Sequence, residues 1–344
     1  MTDHDRGERD DYLWDGTGVP DEEVVRLENA LRPLRHRGSL PPLPVHRSPQ
    51  GEGGPRVRLV PAGWLAAAAA VAIVAGGAWF AFALRSAAWR VSSLSGAPAI
   101  EGRVVAGQAR MSRGDWLTTD SASRARIAVG GIGSVDVDPN TRLQLVASGR
   151  EHHMGLDRGT IHARIWAPPK LFFVNTQAAT AIDLGCAYTL QVDEQGDGIL
   201  RVTHGWVSLE REGRATYIPQ GAVSAINASR GPGTPRYEDA PSGYGEALTM
   251  LDSAGAGDPR RVAALDLVLS AARRRDALTL WHLLTRGSIE ERGRVFDRLS
   301  ALAPPPEGVT RDLVLAGDRT ALDRWWDRLG IEVSSWWRLF KKKW

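Results

Sequence analysis

Cysteine and lysine are both scarce in this chain of 344 residues. Its only cysteine is Cys186, which excludes an intramolecular disulfide and any zinc site built on two or more thiolates. Only four residues are lysine, whereas 39 are arginine, and the formal net charge is +3. With charges so evenly balanced, the chain lacks the basic face of a dedicated nucleic-acid-binding protein. We therefore predict no direct contact with nucleic acid.

Motifs of common catalytic sites are missing as well. The phosphate-binding spacings G-x-G-x-x-G and G-x-x-x-x-G-K do not occur, nor does the G-x-S-x-G of many hydrolases. The adjacent His152 and His153, and His162 further on, have no second thiolate or spaced carboxylate that would complete a metal shell. We predict no metal, no cofactor and no enzymatic activity on another molecule.

An apolar segment of 21 residues without a charge extends from Trp64 to Leu84 and reads WLAAAAAVAIVAGGAWFAFAL. A helix of this length rises about 32 Å, close to the roughly 30 Å thickness of bilayer hydrocarbon. Aromatic residues near its ends and flanking arginines are typical of anchoring at the membrane interface. We predict a single transmembrane helix over residues 61–86, with a buried alanine-rich soluble helix as the alternative. Because arginines flank both ends almost equally, the residues alone leave the orientation open.

Residues 1–60 form a polar arm ahead of this segment. Its first 28 residues hold ten acids and three arginines, whereas residues 29–60 hold one acid and six arginines, a pattern typical of a solvated segment. Within it, PDEEVVRLENALRPL predicts a helix over about residues 20–32 with Val24, Leu27 and Leu31 on one apolar stripe. So short a helix is marginal alone. We therefore expect the stripe to bind a partner and the Pro-, Gly- and Arg-rich remainder to act as a linker.

From about Trp89 to Ala228 the hydrophobic period is two, within a unit that we place at residues 87–236. Ala125, Ile127 and Val129, for example, alternate with Arg124 and Arg126. Turn signals such as Gly-Gly, Asp-Pro-Asn and Gly-Asp-Gly recur at intervals of about ten residues. Many short strands punctuated in this way predict a mainly β unit, a sandwich or a roll.

Residues 237–344 predict a helical region. Asp258-Pro259 is a favourable helix start, Ser288 and Glu291 have the spacing of a capping box, and Thr320 is a further candidate cap. The chain ends in VSSWWRLFKKKW, whose aromatic and cationic residues suit an anionic lipid surface. Docking of these tryptophans onto the preceding helices explains them equally well.

Five pieces of the β region carry a resemblance to a known family. In chain order they are GQARMSRGDWLTTDSASRARIAV (107–129), GSVDVDPNTRLQLV (133–146), LDRGTIHARI (156–165), FFVNTQAATAIDLGCAYTLQVD (172–193) and LRVTHGWVSLE (200–210). Together they resemble the FecR domain of bacterial envelope regulators. The resemblance implies a jelly-roll-like β-sandwich in the periplasm, anchored in the bacterial inner membrane by one upstream helix. It also implies a cytoplasmic N-terminus and a periplasmic C-terminus.

The same resemblance implies a function and a partner. Regulators of this type bind an extracytoplasmic-function (ECF) sigma factor, and the segment YLWDGTGVPDEEVVRLENALRPLRH is similar to the opening helix of anti-sigma domains. The zinc-binding pattern of many such domains is absent. We predict an anti-sigma factor that contacts its sigma factor through Val24, Leu27 and Leu31. The alternative is an envelope structural or ligand-binding module that binds glycan, peptide or a neighbouring protein and has no transcriptional role.

One further hypothesis concerns Gly185-Cys186. Some members of the resembled family cut themselves at a Gly-Thr bond, where the hydroxyl attacks the preceding carbonyl. Gly185-Cys186 stands at the matching position, and a thiol can perform the equivalent shift from nitrogen to sulfur. The alternative is that Cys186 is a small buried core residue, the usual situation of a free cysteine.

Overall fold

The computed structural model describes residues 22–32, 88–255 and 257–331. The chain divides into two compact units, residues 1–65 and 66–344. The predicted membrane helix over 61–86, with Trp64 and Leu84 at its ends, lies outside the described residues, as does the aromatic and cationic C-terminal segment. Within the described ranges, no helix is both long enough and apolar enough to cross a membrane.

In the first unit, the helix predicted over about residues 20–32 is present as α1 (Glu22–Leu31). The second unit contains eighteen strands within its described residues, which run in the order β1 (Trp89–Ser95), β2 (Ala99–Ile100), β3 (Arg103–Val104), β4 (Gln108–Met111), β5 (Trp116–Thr118), β6 (Arg124–Val129), β7 (Gly133–Val137), β8 (Arg142–Ala147), β9 (His152–Ile165), β10 (Phe172–Asn175), β11 (Thr180–Asp183), β12 (Ala187–Val192), β13 (Gly198–His204), β14 (Trp206–Arg211), β15 (Arg214–Pro219), β16 (Ala222–Asn227), β17 (Gly231–Pro232) and β18 (Arg236–Tyr237). The later helices are α2 (Tyr244–Ser253), α3 (Pro259–Ala271), α4 (Ala277–Leu283), α5 (Ile289–Leu302), α6 (Arg311–Ala316) and α7 (Arg319–Leu329), with a 3-10 turn at Arg274–Asp276.

The strands pair in two sets that share β9. One set runs β4, β1, β6, β7, β9, β12, β13, β16, with β17 and β18 both beside β16. The other runs β3, β2, β5, β8, β9, β10, β11, β14, β15. All of these pairings are antiparallel except that of β9 with β10. The mainly β character predicted for this region is confirmed.

Strand β9 changes sheets in its middle. Its first half pairs with β8 and β10, and its second half pairs with β7 and β12. Gly159 marks the change, with a φ of +101°, and a Cβ added there would lie only 2.2 Å from the Oγ1 of Thr141. Any other residue at this position would therefore have a strained backbone, and its side chain would collide with Thr141.

Alternation along the strands produces the core. In β6 the side chains of Ala125, Ile127 and Val129 are fully buried, as the period-two pattern predicts. On the opposite face, Arg126 donates to Asp136 of the neighbouring β7 at 2.5 and 2.9 Å. Such a cross-strand pair helps to specify the register of β6 against β7. A register shift by one residue would expose the apolar side chains of β6 to solvent.

Two of the predicted helix starts are confirmed. The Asp258 side chain accepts from the backbone N–H of Arg260 at the start of α3, and Ser288 and Glu291 form a reciprocal capping box on α5. The prediction for Thr320 was wrong. Helix α7 begins at Arg319, two residues before the start that a cap at Thr320 would give, and Asp318 caps it by accepting from the N–H of Ala321 at 2.7 Å. Aspartate is among the preferred caps, and an extended Asp318 leaves Thr320 inside the first turn.

The C-terminal helices share the core of the β unit. The ring of Trp326 on α7 lies 6.1 Å from that of Trp206 on β14 and 5.8 Å from that of Tyr217 on β15. The indole of Trp281 on α4 packs 4.5 Å from Trp326 and donates to the carbonyl of Leu322. Sheet and helices therefore bury one another, which the separate strand and helix patterns of the sequence did not indicate.

Candidate functional site

The predicted partner-binding residues lie on α1. Positions 24, 27 and 31 are three and four residues apart, so in a formed helix they share one face. Val24 is half-buried and Leu31 is 52% exposed, whereas the side chain of Leu27 lies outside the described part of the chain. All three positions lie on α1, and their contact with a partner stays a prediction.

The other predicted site, Gly185-Cys186, lies in the short connection between β11 and β12. This connection carries the chain from one sheet to the other. Gly185 has a φ of +88°. Gly205 runs close beside it, because a Cβ added at Gly205 would lie 2.2 Å from the carbonyl oxygen of Gly185 and 3.1 Å from the Cβ of Cys186. Only glycine at position 205 allows the two backbones to approach so closely.

A buried carboxyl group holds this connection in place. Asp183, at the end of β11, is 1% exposed. One of its oxygens, Oδ1, accepts from the backbone N–H of Gly185 at 2.7 Å, and the other, Oδ2, accepts from the thiol of Cys186 at 2.6 Å. Burial raises the pKa of Asp183 to about 7, although the bonds from Cys186 and Gly185 act to lower it. Near neutral pH this carboxyl group can therefore both hold and accept a proton.

Cys186 is kept as a thiol. The side chain is 3% exposed, and burial is the main cause that raises its pKa well above the ordinary value. The neighbouring Asp183 adds to the effect, because its negative charge disfavours a thiolate and its oxygen stabilises the S–H form. The sulfur therefore becomes nucleophilic only as its proton passes to Asp183.

Tyr188 is the third polar group at this place. Burial raises the pKa of its phenol well above the usual range, and the charges of Asp183 and Cys186 act in the same direction. Its hydroxyl is buried and has no hydrogen-bond partner among the residues that the structure describes. A buried hydroxyl without a partner is uncommon and costs roughly 1–3 kcal/mol. Sequence reasoning missed both Asp183 and Tyr188.

The histidines singled out in the sequence have structural partners. The indole N–H of Trp89 donates to Nδ1 of His152 at 3.2 Å, and burial lowers the pKa of His152. His162 lies within 2.9 Å of both the Thr189 hydroxyl and an Asp138 oxygen. Throughout the described ranges no three His, Cys, Asp or Glu residues are grouped so that they could hold a metal ion.

Comparison with known proteins assigns the centre of the chain to a family. Residues 115–208 match the family model described as FecR protein, so the chain contains a FecR domain. This match spans β5 to the middle of β14 and includes both Gly185-Cys186 and Asp183.

Likeness to solved structures is weak. Two crystal structures of a candidate anti-sigma factor from Parabacteroides distasonis, at 1.65 and 2.50 Å resolution, are each 13% identical to this chain with a TM-score of 0.32. The first match covers 39% of this chain and 64% of that protein, and the second covers 45% and 73%. The chain thus spans less than two thirds of the first of these structures. No curated protein matches it.

Proposed function

We propose that this protein is a signal-transducing regulator of the anti-sigma factor type, bound to the bacterial inner membrane. The observation that carries the proposal is the FecR match over residues 115–208, in a chain that also forms a short amphipathic helix ahead of it. In this proposal the FecR domain, a jelly-roll-like β-sandwich in the periplasm, senses an envelope signal. The N-terminal arm transmits that signal to an ECF sigma factor in the cytoplasm.

The arm binds the sigma factor through the face of α1 that carries Val24, Leu27 and Leu31. An isolated helix of ten residues is marginal in water. Its apolar face is therefore completed by a partner, in the way that an amphipathic helix fills a hydrophobic groove. Burial of each aliphatic side chain contributes about 1.5–3 kcal/mol, so three such residues can supply most of a specific contact.

Replacing Val24, Leu27 and Leu31 together by serine is expected to abolish capture of the co-encoded ECF sigma factor in a pull-down assay. The reason is that hydroxyl groups replace the apolar contacts while α1 keeps its length. A matched control exists on the opposite face, where Glu22, Arg26 and Asn29 are exposed, and their joint replacement by serine should leave capture unchanged. Equal capture by both variants would show that the arm is not the binding element.

Membrane attachment depends on residues 61–86. The uncharged run from Trp64 to Leu84 is long enough to span the hydrocarbon, and one span places the arm and the FecR domain on opposite sides. After alkaline carbonate washing of vesicles, the intact protein should stay in the membrane pellet. Its release into the supernatant would contradict this topology.

A second candidate function is an envelope structural or ligand-binding module. The open cleft described in the next subsection favours it, because a cleft of that size is typical of a ligand-binding site. Binding a ligand there would not require a role in transcription. The two functions separate by transcript profiling after deletion of residues 1–60. A changed set of sigma-dependent transcripts supports the regulator, and unchanged transcripts support the module.

Self-cleavage at Gly185-Cys186 is a further proposal for this domain. Asp183 would take the thiol proton, the sulfur would attack the Gly185 carbonyl carbon, and the Gly185–Cys186 amide bond would break as the Cys186 nitrogen gains a proton. The resulting thioester would then be hydrolysed. The contact between the Cys186 thiol and the Asp183 carboxylate supplies the base that this step requires.

If the bond is cut, a denaturing gel of the purified full chain should show two fragments, near 185 and 159 residues long. Cys186→Ala should give one full-length band. Asp183→Asn should slow the reaction strongly, because an amide cannot accept the thiol proton. A single full-length band from the unaltered chain would show that Cys186 is only a core residue.

A further inference from the structure

An open cleft lies between the β14–β15 hairpin and the C-terminal helices. Its volume is about 930 Å³, and its wall includes the hairpin turn, the end of α2, parts of α3, α4 and α5, and the start of α7. Clefts of this size are typical of specific ligand sites. The wall carries five arginines and four acidic residues, so its charge pattern decides what it can bind.

Two of these arginines are already neutralised. Arg286 is buried and pairs with Asp252 at 3.2 Å. Arg261 forms a two-pronged pair with Glu291, with distances of 2.8 and 3.0 Å. A third acid, Glu212, is exposed and lies 3.3 Å from Arg211. These three carboxylates are therefore engaged with cations other than the remaining three arginines of the wall. The fourth acidic residue, Asp323, lies one helical turn after Arg319 on α7.

The remaining arginines of the wall differ in kind. Arg292 donates to the backbone carbonyls of Leu284, Val314 and Leu315, and no carboxylate of the described residues forms an ion pair with it. Arg214 and Arg319 are exposed, and among the described residues neither makes an ion pair or a side-chain hydrogen bond.

The positive charge of Arg214 affects two buried groups behind the cleft wall. It lowers the pKa of the buried Arg286, whose shift to about 10 is caused first by burial. It also lowers that of His282, where burial and Arg286 are the larger causes. With five arginines and four acidic residues, the wall of the cleft carries a small surplus of positive charge, and Arg214 places part of it at the hairpin turn.

The cleft also contains part of the outer edge of β15. Among the described strands, β15 is last in its sheet and pairs only with β14. Along its outer edge, the N–H of Tyr217 is covered by Nε2 of His282 at 3.1 Å. Because outward-pointing backbone groups recur every second residue, the N–H of Ala215 points outward as well, and Ala215 lines the cleft.

We propose that this cleft binds an acidic peptide segment in an extended conformation, whose backbone pairs with β15 at Ala215 and whose carboxylates bind Arg214 and Arg319. Addition of a strand to a sheet edge is a common mode of peptide recognition, and a guanidinium group matches a carboxylate in geometry and charge. The site is independent of α1 and of the sigma-factor proposal. The ligand class of this site is a protein segment rich in Asp or Glu.

The test uses the full chain in detergent and a fluorescein-labelled, N-acetylated hexapeptide of alternating Glu and Val. Fluorescence anisotropy should show binding that weakens as salt is raised. The counterpart with Gln in place of Glu should bind at least tenfold more weakly. The double variant Arg214→Gln and Arg319→Gln should weaken binding of the Glu peptide at least tenfold. A control with Arg103→Gln and Arg113→Gln, both exposed and outside the cleft, should bind as the unaltered protein does.

Two further measurements separate a peptide from a small anion. Ala215→Pro removes the backbone N–H without changing a charge, and in a variant that keeps the unaltered unfolding temperature it should weaken peptide binding several-fold. Inorganic pyrophosphate at millimolar concentration should not displace the peptide fully. Full displacement by pyrophosphate with no effect of Ala215→Pro would overturn the peptide and leave an oxyanion site. Equal binding by the cleft and control double variants would overturn the site itself.

Discussion

Replacing Trp326 by alanine is expected to lower the free energy of unfolding by about 3–5 kcal/mol. The side chain is 7% exposed, and its ring lies between 4.5 and 6.1 Å from those of Trp206, Tyr217, Trp281 and His282. Two of these neighbours are on strands and two on α4. Truncation therefore opens a cavity at the junction of sheet and helices, and urea unfolding followed by circular dichroism measures the loss.

The matched control is Trp166, which is 70% exposed. Trp166→Ala removes the same atoms from the surface and should change the free energy of unfolding by less than about 0.5 kcal/mol. If the helices and the sheet instead fold as independent parts, Trp326→Ala would shift only the helical signal. Strand amides would then keep their hydrogen-exchange protection, which would contradict a shared core.

The second large effect is a loss of stability as pH rises, caused by Asp183. Its pKa is near 3.8 in an exposed setting and about 7 in the folded protein. Between those values the folded state holds a proton that the unfolded state has released, so stability falls with rising pH. The contribution is complete below about pH 4 and lost above about pH 7. About three pKa units correspond to roughly 4 kcal/mol.

The measurement is urea unfolding at several pH values from 4 to 8, with the unaltered protein compared to Asp183→Asn. The amide is uncharged at every pH and nearly the same shape, so the variant should lose several kcal/mol less across this range. Other titrating groups are common to both proteins and cancel in the difference. Parallel curves would contradict a raised pKa at Asp183.

Most local signals in the sequence predicted the structure correctly where the cause was also local. The alternation of Ala125, Ile127 and Val129 predicted which side chains are buried, because side chains on a strand point to opposite faces. Asp258-Pro259 and Ser288 predicted helix starts, because a cap satisfies backbone groups a few residues away. The prediction for Thr320 was wrong although its cause is equally local, since Asp318 occupies the cap two residues earlier.

The two candidate sites also differ in how much of each could be predicted from the sequence. The face of α1 could be predicted, because helical spacing alone brings positions 24, 27 and 31 together. The surroundings of Cys186 could be predicted only in part. Asp183 is three residues away and ends a strand, which was a usable signal, but its burial and its contact with the thiol depend on strands packed from both sheets.

The sequence by itself determined the mainly β centre, the helical C-terminal region and the family of residues 115–208. Each depends on periodicity, capping or motif order, which act over a few residues. Only the tertiary structure decided that α4 covers the edge of β15 at Tyr217, that Asp183 is buried against Cys186, and that Arg214 and Arg319 line one cleft. These arrangements join residues up to about a hundred positions apart. Burial, desolvation and the field of neighbouring charges arise only when such distant segments pack together.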